Sequence, residues 1–111
     1  MEAITTYYNY TFNIGLFDKD TKTQVIPTQK AKKIIKNLTV KYLWFGTISN
    51  KNIGVYTHDN WEIISEPSYE VNFKTQNPDR KNILEYVINL KKQLNQESIL
   101  VSYTMENVNF L

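Results

Sequence analysis

The chain has no cysteine, one histidine, three glycines and three prolines among its 111 residues. Without cysteine there is neither a disulfide framework nor a thiolate metal site, and a reducing compartment is expected. One imidazole and so few glycines exclude a catalytic triad and either glycine-rich phosphate-binding pattern. No uncharged apolar run approaches the roughly 18 residues needed to cross a bilayer. Residues 1–10 (MEAITTYYNY) lack the basic start and apolar stretch of a leader, so secretion and anchoring are unsupported and a cytoplasmic location is expected. Charge of one sign is missing as well: 13 basic against 11 acidic residues leave +2, too weak a field to drive non-specific nucleic-acid binding.

The composition is otherwise that of a compact domain, with 41% hydrophobic and 14% aromatic residues. The length suits one domain spanning residues 1–111. Residues 7–17 alternate, with Tyr8, Tyr10, Phe12, Ile14 and Leu16 on one side, which predicts a strand with one buried face. After Pro27-Thr28, Ala31, Ile34, Ile35 and Leu38 recur at helical spacing and predict a short amphipathic helix. Its polar side carries Lys30, Lys32, Lys33 and Lys36, read as a solvated face or, more sharply, as a site for phosphate or acidic groups.

From Thr39 to Thr57 β-branched and aromatic residues predict a second strand, bent or bulged near Gly46 and the turn-like Ser49-Asn50-Lys51-Asn52. Asp59-Asn60-Trp61 reads as a three-residue hairpin loop into a third strand, Glu62–Lys74, although Trp61 occupies a place where glycine is usual. That hairpin pairs position 58 with 62, 56 with 64 and 54 with 66, and so puts Tyr56, His58 and Glu66 on one face. Asn77-Pro78-Asp79 predicts a second helix with Asn77 as its cap and Pro78 at its first position, followed by the stripe Ile83, Val87, Leu90 and Leu94. Ser98 opens a last strand in which Ile99, Val101, Tyr103 and Met105 share a side. The tail 106–111 carries no clear pattern.

The expected architecture is therefore α+β, a ferredoxin-like βαββαβ chain forming a four-stranded antiparallel sheet with two helices on one face. Its uncovered face carries Asn9, Thr11, Asn13, Glu66, Ser68, Glu70 and Asn72. RNA-recognition domains share this element order, but they need exposed aromatics on the central strands. Here those positions are polar and partly acidic, so no nucleic-acid partner is expected. His58, near Asp59 and Asp18, reads as a surface residue at a hairpin tip, and no metal is expected.

Three short segments remain: Gly54-Val55-Tyr56, Glu66-Pro67-Ser68 and Gln96-Glu97-Ser98-Ile99-Leu100. In order and spacing they resemble the phage-type S-adenosylmethionine lyases, which carry a Gly-x-Tyr on the second strand and an acid about ten positions later. Those enzymes also have a Gln-acid-small-apolar-Leu segment before the last strand, and Leu16-Phe17 resembles the aromatic that closes their first strand. The likeness covers about residues 8–104. Where the family can show two adjacent acids this chain has Glu66-Pro67, so the acidic role rests on Glu66 alone.

The resemblance implies a metal-independent, cofactor-free lyase in which the methionyl carboxylate attacks its own γ-carbon and expels 5′-methylthioadenosine, leaving homoserine lactone. It implies Glu66 and Tyr56 as catalytic residues and Phe17, Gly54, Ser68, Gln96, Glu97 and Ser98 as substrate-binding ones. It further implies a homotrimer with sites between subunits, acting in a host cytoplasm against restriction or CRISPR-type defence if the gene is a phage's. The substrate would be S-adenosylmethionine or an adenylated derivative. Two readings stand beside it: a non-catalytic ligand-binding regulatory trimer of the same fold, and a phage inhibitor acting by protein contact.

Overall fold

A computed structural model of the chain describes residues 4–57 and 63–109, with side chains described outside 52–57 and 63–65. The elements run β1 (Ile4–Gly15), α1 (Thr28–Leu43), β2 (Thr47–Thr57), β3 (Ile63–Thr75), α2 (Arg80–Gln93) and β4 (Leu100–Asn109). They form one antiparallel sheet in the order β2-β3-β1-β4. This is the expected βαββαβ architecture, with β1 and β3 in the centre. No described helix is long and apolar enough to cross a membrane.

The alternation in β1 and β3 decides which face is covered. Tyr10, Phe12 and Ile14 of β1 and Tyr69, Val71 and Phe73 of β3 are buried beneath Ala31, Ile35 and Leu38 of α1 and Ile83, Tyr86 and Leu90 of α2. Both helices thus lie on one face, as their apolar stripes require. The Phe12 and Tyr86 rings meet edge to face at 5.0 Å. Burial of the Tyr86 phenol pushes its pKa up to about 12, although its hydrogen bond to Thr39 acts the other way.

Several boundaries differ from the sequence expectation. The helix α1 does not stop near Leu38. Residues 39–43, expected in the second strand, are its last turn, because Thr39, Tyr42 and Leu43 continue the 3.6-residue stripe. Thr39 is buried, and its hydroxyl hydrogen-bonds the Ile35 carbonyl at 2.7 Å and the Tyr86 hydroxyl at 2.8 Å. Those bonds outweigh its β-branched preference for a strand. The helix closes at Trp44, whose φ is 72° and whose N–H donates to Val40 O.

Ser49-Asn50-Lys51-Asn52 is not a turn but part of β2, and the expected bulge lies at its end, between Lys51 and Gly54. Lys51 pairs with Ser68 and Gly54 with Glu66, so β2 advances three residues while β3 advances two. The α2 cap is Asp79 rather than Asn77, its carboxylate accepting from the N–H groups of Lys81 (3.1 Å) and Asn82 (3.2 Å). Pro78 disfavours helical backbone at the residue before it, which moves the start two positions along.

β4 starts at Leu100, not Ser98, and continues through the unassigned tail to Asn109. By register Val101, Tyr103 and Met105 sit on the core side, yet all three are exposed, because β4 is an edge strand and the core is built from β1 and β3. The hairpin at Trp61, the pairing of 58 with 62 and the reading of His58 lie outside the described residues.

On the open face the polar residues bond to one another across strands. Asn72 donates to Asn9 Oδ1 (2.8 Å), Asn9 donates to Glu106 (2.9 Å), and Glu106 pairs with Lys74 (3.0 Å). The Asn9 amide first, and then Lys74, hold the Glu106 carboxyl below its ordinary value.

Candidate active site

The site is built where β1 runs out. Gly15 is the last residue of the strand and lies opposite Ser68. Beyond it the chain leaves the ladder, so its backbone groups need other partners. Leu16 N–H takes the Pro67 carbonyl at 3.0 Å. Phe17 N–H donates to Glu66 Oε1 at 2.8 Å, and the Phe17 carbonyl accepts from Gln96 Nε2 at 2.7 Å. One peptide segment is thus held from both sides by two side chains that the sequence had marked.

Gln96 is itself buried, its amide nitrogen also reaching Leu94 O (3.3 Å) and its backbone N–H donating to Lys91 O (2.9 Å). Its side-chain amide therefore serves the chain's own carbonyls. Glu66 is half-buried on the open sheet face, away from the helices.

The loop after Phe17 docks on the turn after α2. Asp18 accepts from the N–H groups of Asp20 (2.9 Å) and Thr21 (3.1 Å), and Asn95 Nδ2 donates to both Asp18 (2.6 Å) and Asp20 (2.9 Å). Lys19 N–H returns a bond to Asn95 O at 3.0 Å. Asn95 has φ 48°, a conformation that asparagine tolerates better than most residues. The Asn95 amide, followed by the Thr21 N–H, holds the Asp18 carboxyl below its ordinary value.

These elements enclose an open cleft of about 430 Å³. Of the residues expected from sequence, it gathers Glu66, Phe17, Gln96, Glu97 and Ser98. To these it adds Asp18, Lys19, Lys22, Asn13, Gly15 and Leu100. Carboxylates and ammonium groups thus share one concave surface, which suits a small ligand carrying charges of both signs.

Ser68 does not line the cleft; its hydroxyl donates to the Lys51 carbonyl at 2.9 Å. Gly54 lies opposite Glu66 and Tyr56 opposite Ile64, the register expected from the sequence. The Tyr56 side chain lies outside the described residues. Among the described residues no cluster of His, Asp or Glu is arranged to hold a metal ion.

Gly15 and the Asp18–Lys22 segment escaped sequence reasoning. The available signals were a glycine ending an otherwise regular strand and the Asp18-x-Asp20-Thr21 pattern of a turn closed by its own side chains.

No protein-family model matches the chain, and no curated protein matches it in sequence. In structure it is similar to a phage SAM lyase solved in complex with S-methyl-5′-thioadenosine. The TM-score is 0.58 at 16% identity, over 94% of this chain and 90% of that one. The apo form of a phage SAM lyase is similar at TM-score 0.58 and 16% identity, over 93% and 89%. At that identity the likeness is one of fold.

Proposed function

We propose that the protein is a lyase that splits S-adenosylmethionine into 5′-methylthioadenosine and homoserine lactone, or splits in the same way an adenylated derivative whose carboxylate is free, the adenylyl group staying on the fragment that carries it. The observation that carries this reading is the Glu66 carboxylate, fixed on the Phe17 N–H at the wall of a cleft shared with Gln96, Glu97 and Ser98. The resemblance in sequence motifs and the likeness in fold to an enzyme solved with S-methyl-5′-thioadenosine point the same way.

The reaction asks little covalent chemistry of the protein. A carboxylate oxygen of the substrate attacks its own γ-carbon and the carbon–sulfur bond breaks. The electron pair goes to sulfur, leaving a neutral thioether and a lactone that keeps its ammonium group. No water is consumed and no proton must move. The sulfonium is already an activated leaving group, so the work is to fold the substrate into an attack conformer and to strip water from its carboxylate.

Glu66 holds the cationic substrate through its ribose hydroxyls or its α-ammonium, Tyr56 hydrogen-bonds or stacks near the sulfonium, and Phe17 packs on adenine. Gly54 and Ser68 flank Glu66, and Gln96, Glu97 and Ser98 form the opposite wall. A homotrimer completes the cleft at subunit interfaces, because a single small subunit offers only an open one. The setting is the cytoplasm of a host cell, where depleting the methyl donor or an adenylated signal would blunt restriction or CRISPR-type defence.

The test is incubation with S-adenosylmethionine and, separately, its adenylated form, with chromatography for 5′-methylthioadenosine and homoserine lactone, each free or adenylated. The native chain should release such a pair from one of the two. Glu66→Gln should lower turnover by about 100-fold, the scale of losing a charge-assisted contact in the transition state. Tight binding without product would favour a regulatory trimer, and no binding of either compound an inhibitor acting by protein contact; both outcomes end the lyase reading.

A further inference from the structure

A glycine in a paired strand position, even the last one, needs a reason, because it gives up side-chain packing and costs backbone entropy. At position 15 the usual reason is missing. Its φ is not positive, so any L-residue could adopt the same backbone. What remains is space. A Cβ built on Gly15 would overlap Glu66 Oε1 and lie 2.6 Å from Glu66 Cδ and 2.9 Å from Oε2. The three nearest atoms to that imagined methyl all belong to one carboxylate, and no backbone atom or core side chain is among them.

We propose that Gly15 is a positioning residue for Glu66. Its missing side chain leaves the seat that the Glu66 carboxylate fills, and from that seat Oε1 accepts from the Phe17 N–H at 2.8 Å. The arrangement orients the acid. Oε1 is occupied by the peptide of Phe17, which leaves Oε2 to meet a ligand in the cleft. Glu66 and Phe17 are 49 residues apart in sequence, so the glycine between the strand and the loop is the local feature that lets this long-range bond form.

A methyl group at position 15 would move the far end of a flexible side chain rather than the sheet. Gly15→Ala should therefore fold while expelling the carboxylate from its seat. The functional half of the proposal rests on Glu66 being the ligand-binding acid; the positional half does not, and the experiment separates them.

Four chains are compared: native, Gly15→Ala, Glu66→Ala and the double variant. Three quantities are read: thermal midpoint, the Phe17 amide proton signal by NMR, and S-adenosylmethionine affinity by calorimetry. In the native background Gly15→Ala should lower the midpoint and shift the Phe17 amide signal upfield, as Glu66→Ala does. In the Glu66→Ala background it should leave the midpoint unchanged or raise it, because the methyl then enters vacated space and the backbone entropy cost of glycine is removed. Affinity should fall about tenfold or more with either single substitution, the scale of one charge-assisted hydrogen bond, and no further in the double variant.

Equal midpoint changes in the two backgrounds, or a Phe17 amide signal unmoved by Gly15→Ala, would overturn the positioning role. If the coupling holds while Glu66→Ala binds S-adenosylmethionine as the native chain does, the positioning role is upheld and the proposed function is what fails.

Discussion

The β1–β3 ladder has two ends, and the molecule treats them differently. Near the end where Tyr8 lies opposite Thr75 and Tyr10 opposite Phe73, the end of α1 presents Trp44 and Phe45 beside Phe73 and Ile83, forming a groove of about 260 Å³. Past the last residue of β1, Gly15, lies the cleft of Glu66, Asp18 and Gln96. In the groove, backbone groups find partners close by in sequence: Trp44 N–H takes the Val40 carbonyl, Asn77 N–H the Thr75 hydroxyl, and the N–H groups of Lys81 and Asn82 the Asp79 carboxylate. In the cleft, the Phe17 peptide is held by Glu66 and Gln96, side chains from 49 and 79 residues away. The first solution ties polar groups to their own segment. The second orients carboxylates and amides as a by-product of satisfying the chain, and oriented polar groups in a concavity are what binding and catalysis require.

If that contrast is right, damage at the two ends should separate stability from function. The largest stability effect is expected at the aromatic end. Phe73 is buried and its ring lies 5.2 Å from Phe45 and 6.4 Å from Tyr10. Phe73→Ala should cost about 3–5 kcal/mol in urea denaturation, as truncation of a buried ring does, while the surviving folded fraction keeps its product release. A matching loss of specific activity would break the comparison.

Asn95→Ala should cost less stability, about 1–2 kcal/mol. It removes the amide that bridges Asp18 and Asp20, and it puts alanine where φ is positive. Its functional cost should be the larger one, seen as a raised KM for S-adenosylmethionine, because the loop that walls the cleft loses its tether. An unchanged KM would mean that the loop takes no part in binding.

The smallest effect is one of pH. Asp18 has a folded-state pKa below its ordinary value, so its contribution to stability is complete above that ordinary value, 3.8, and is lost as pH falls through the lower folded one. Glu106 acts in the same direction through Asn9 and Lys74. Urea midpoints at pH 5 and pH 3 should therefore fall in the native chain and fall less in Asn95→Ala, which has already lost the first cause of the Asp18 depression. An identical drop in both would assign the acid limb to Glu106 and the other carboxyls.

Much of this was legible before any coordinates. The period-2 runs through Phe12 and Val71 and the helical stripe through Ile83 and Leu90 mark core faces by residue order alone. So does the pairing of Gly54 with Glu66, which follows from counting back from an assumed hairpin. Less legible was Thr39, whose β-branched side chain argues for a strand until Ile35 O and the Tyr86 hydroxyl are seen to receive it. Glu66 could be named as a candidate acid, but not its seat. Gln96 could be named as a polar contact, but not its commitment to the Phe17 carbonyl.

Residue order alone was enough for the order of the elements and for the buried faces of β1, β3, α1 and α2, because side-chain periodicity is a local property that backbone geometry turns directly into an apolar side. The tertiary structure alone decided which carboxylate meets which peptide. Phe17 and Glu66 become neighbours only when β1 and β3 pair, and Asp18 and Asn95 only when the turn after α2 returns beside them. Such meetings depend on register and on an empty place at Gly15, and no local pattern of residues encodes a vacancy.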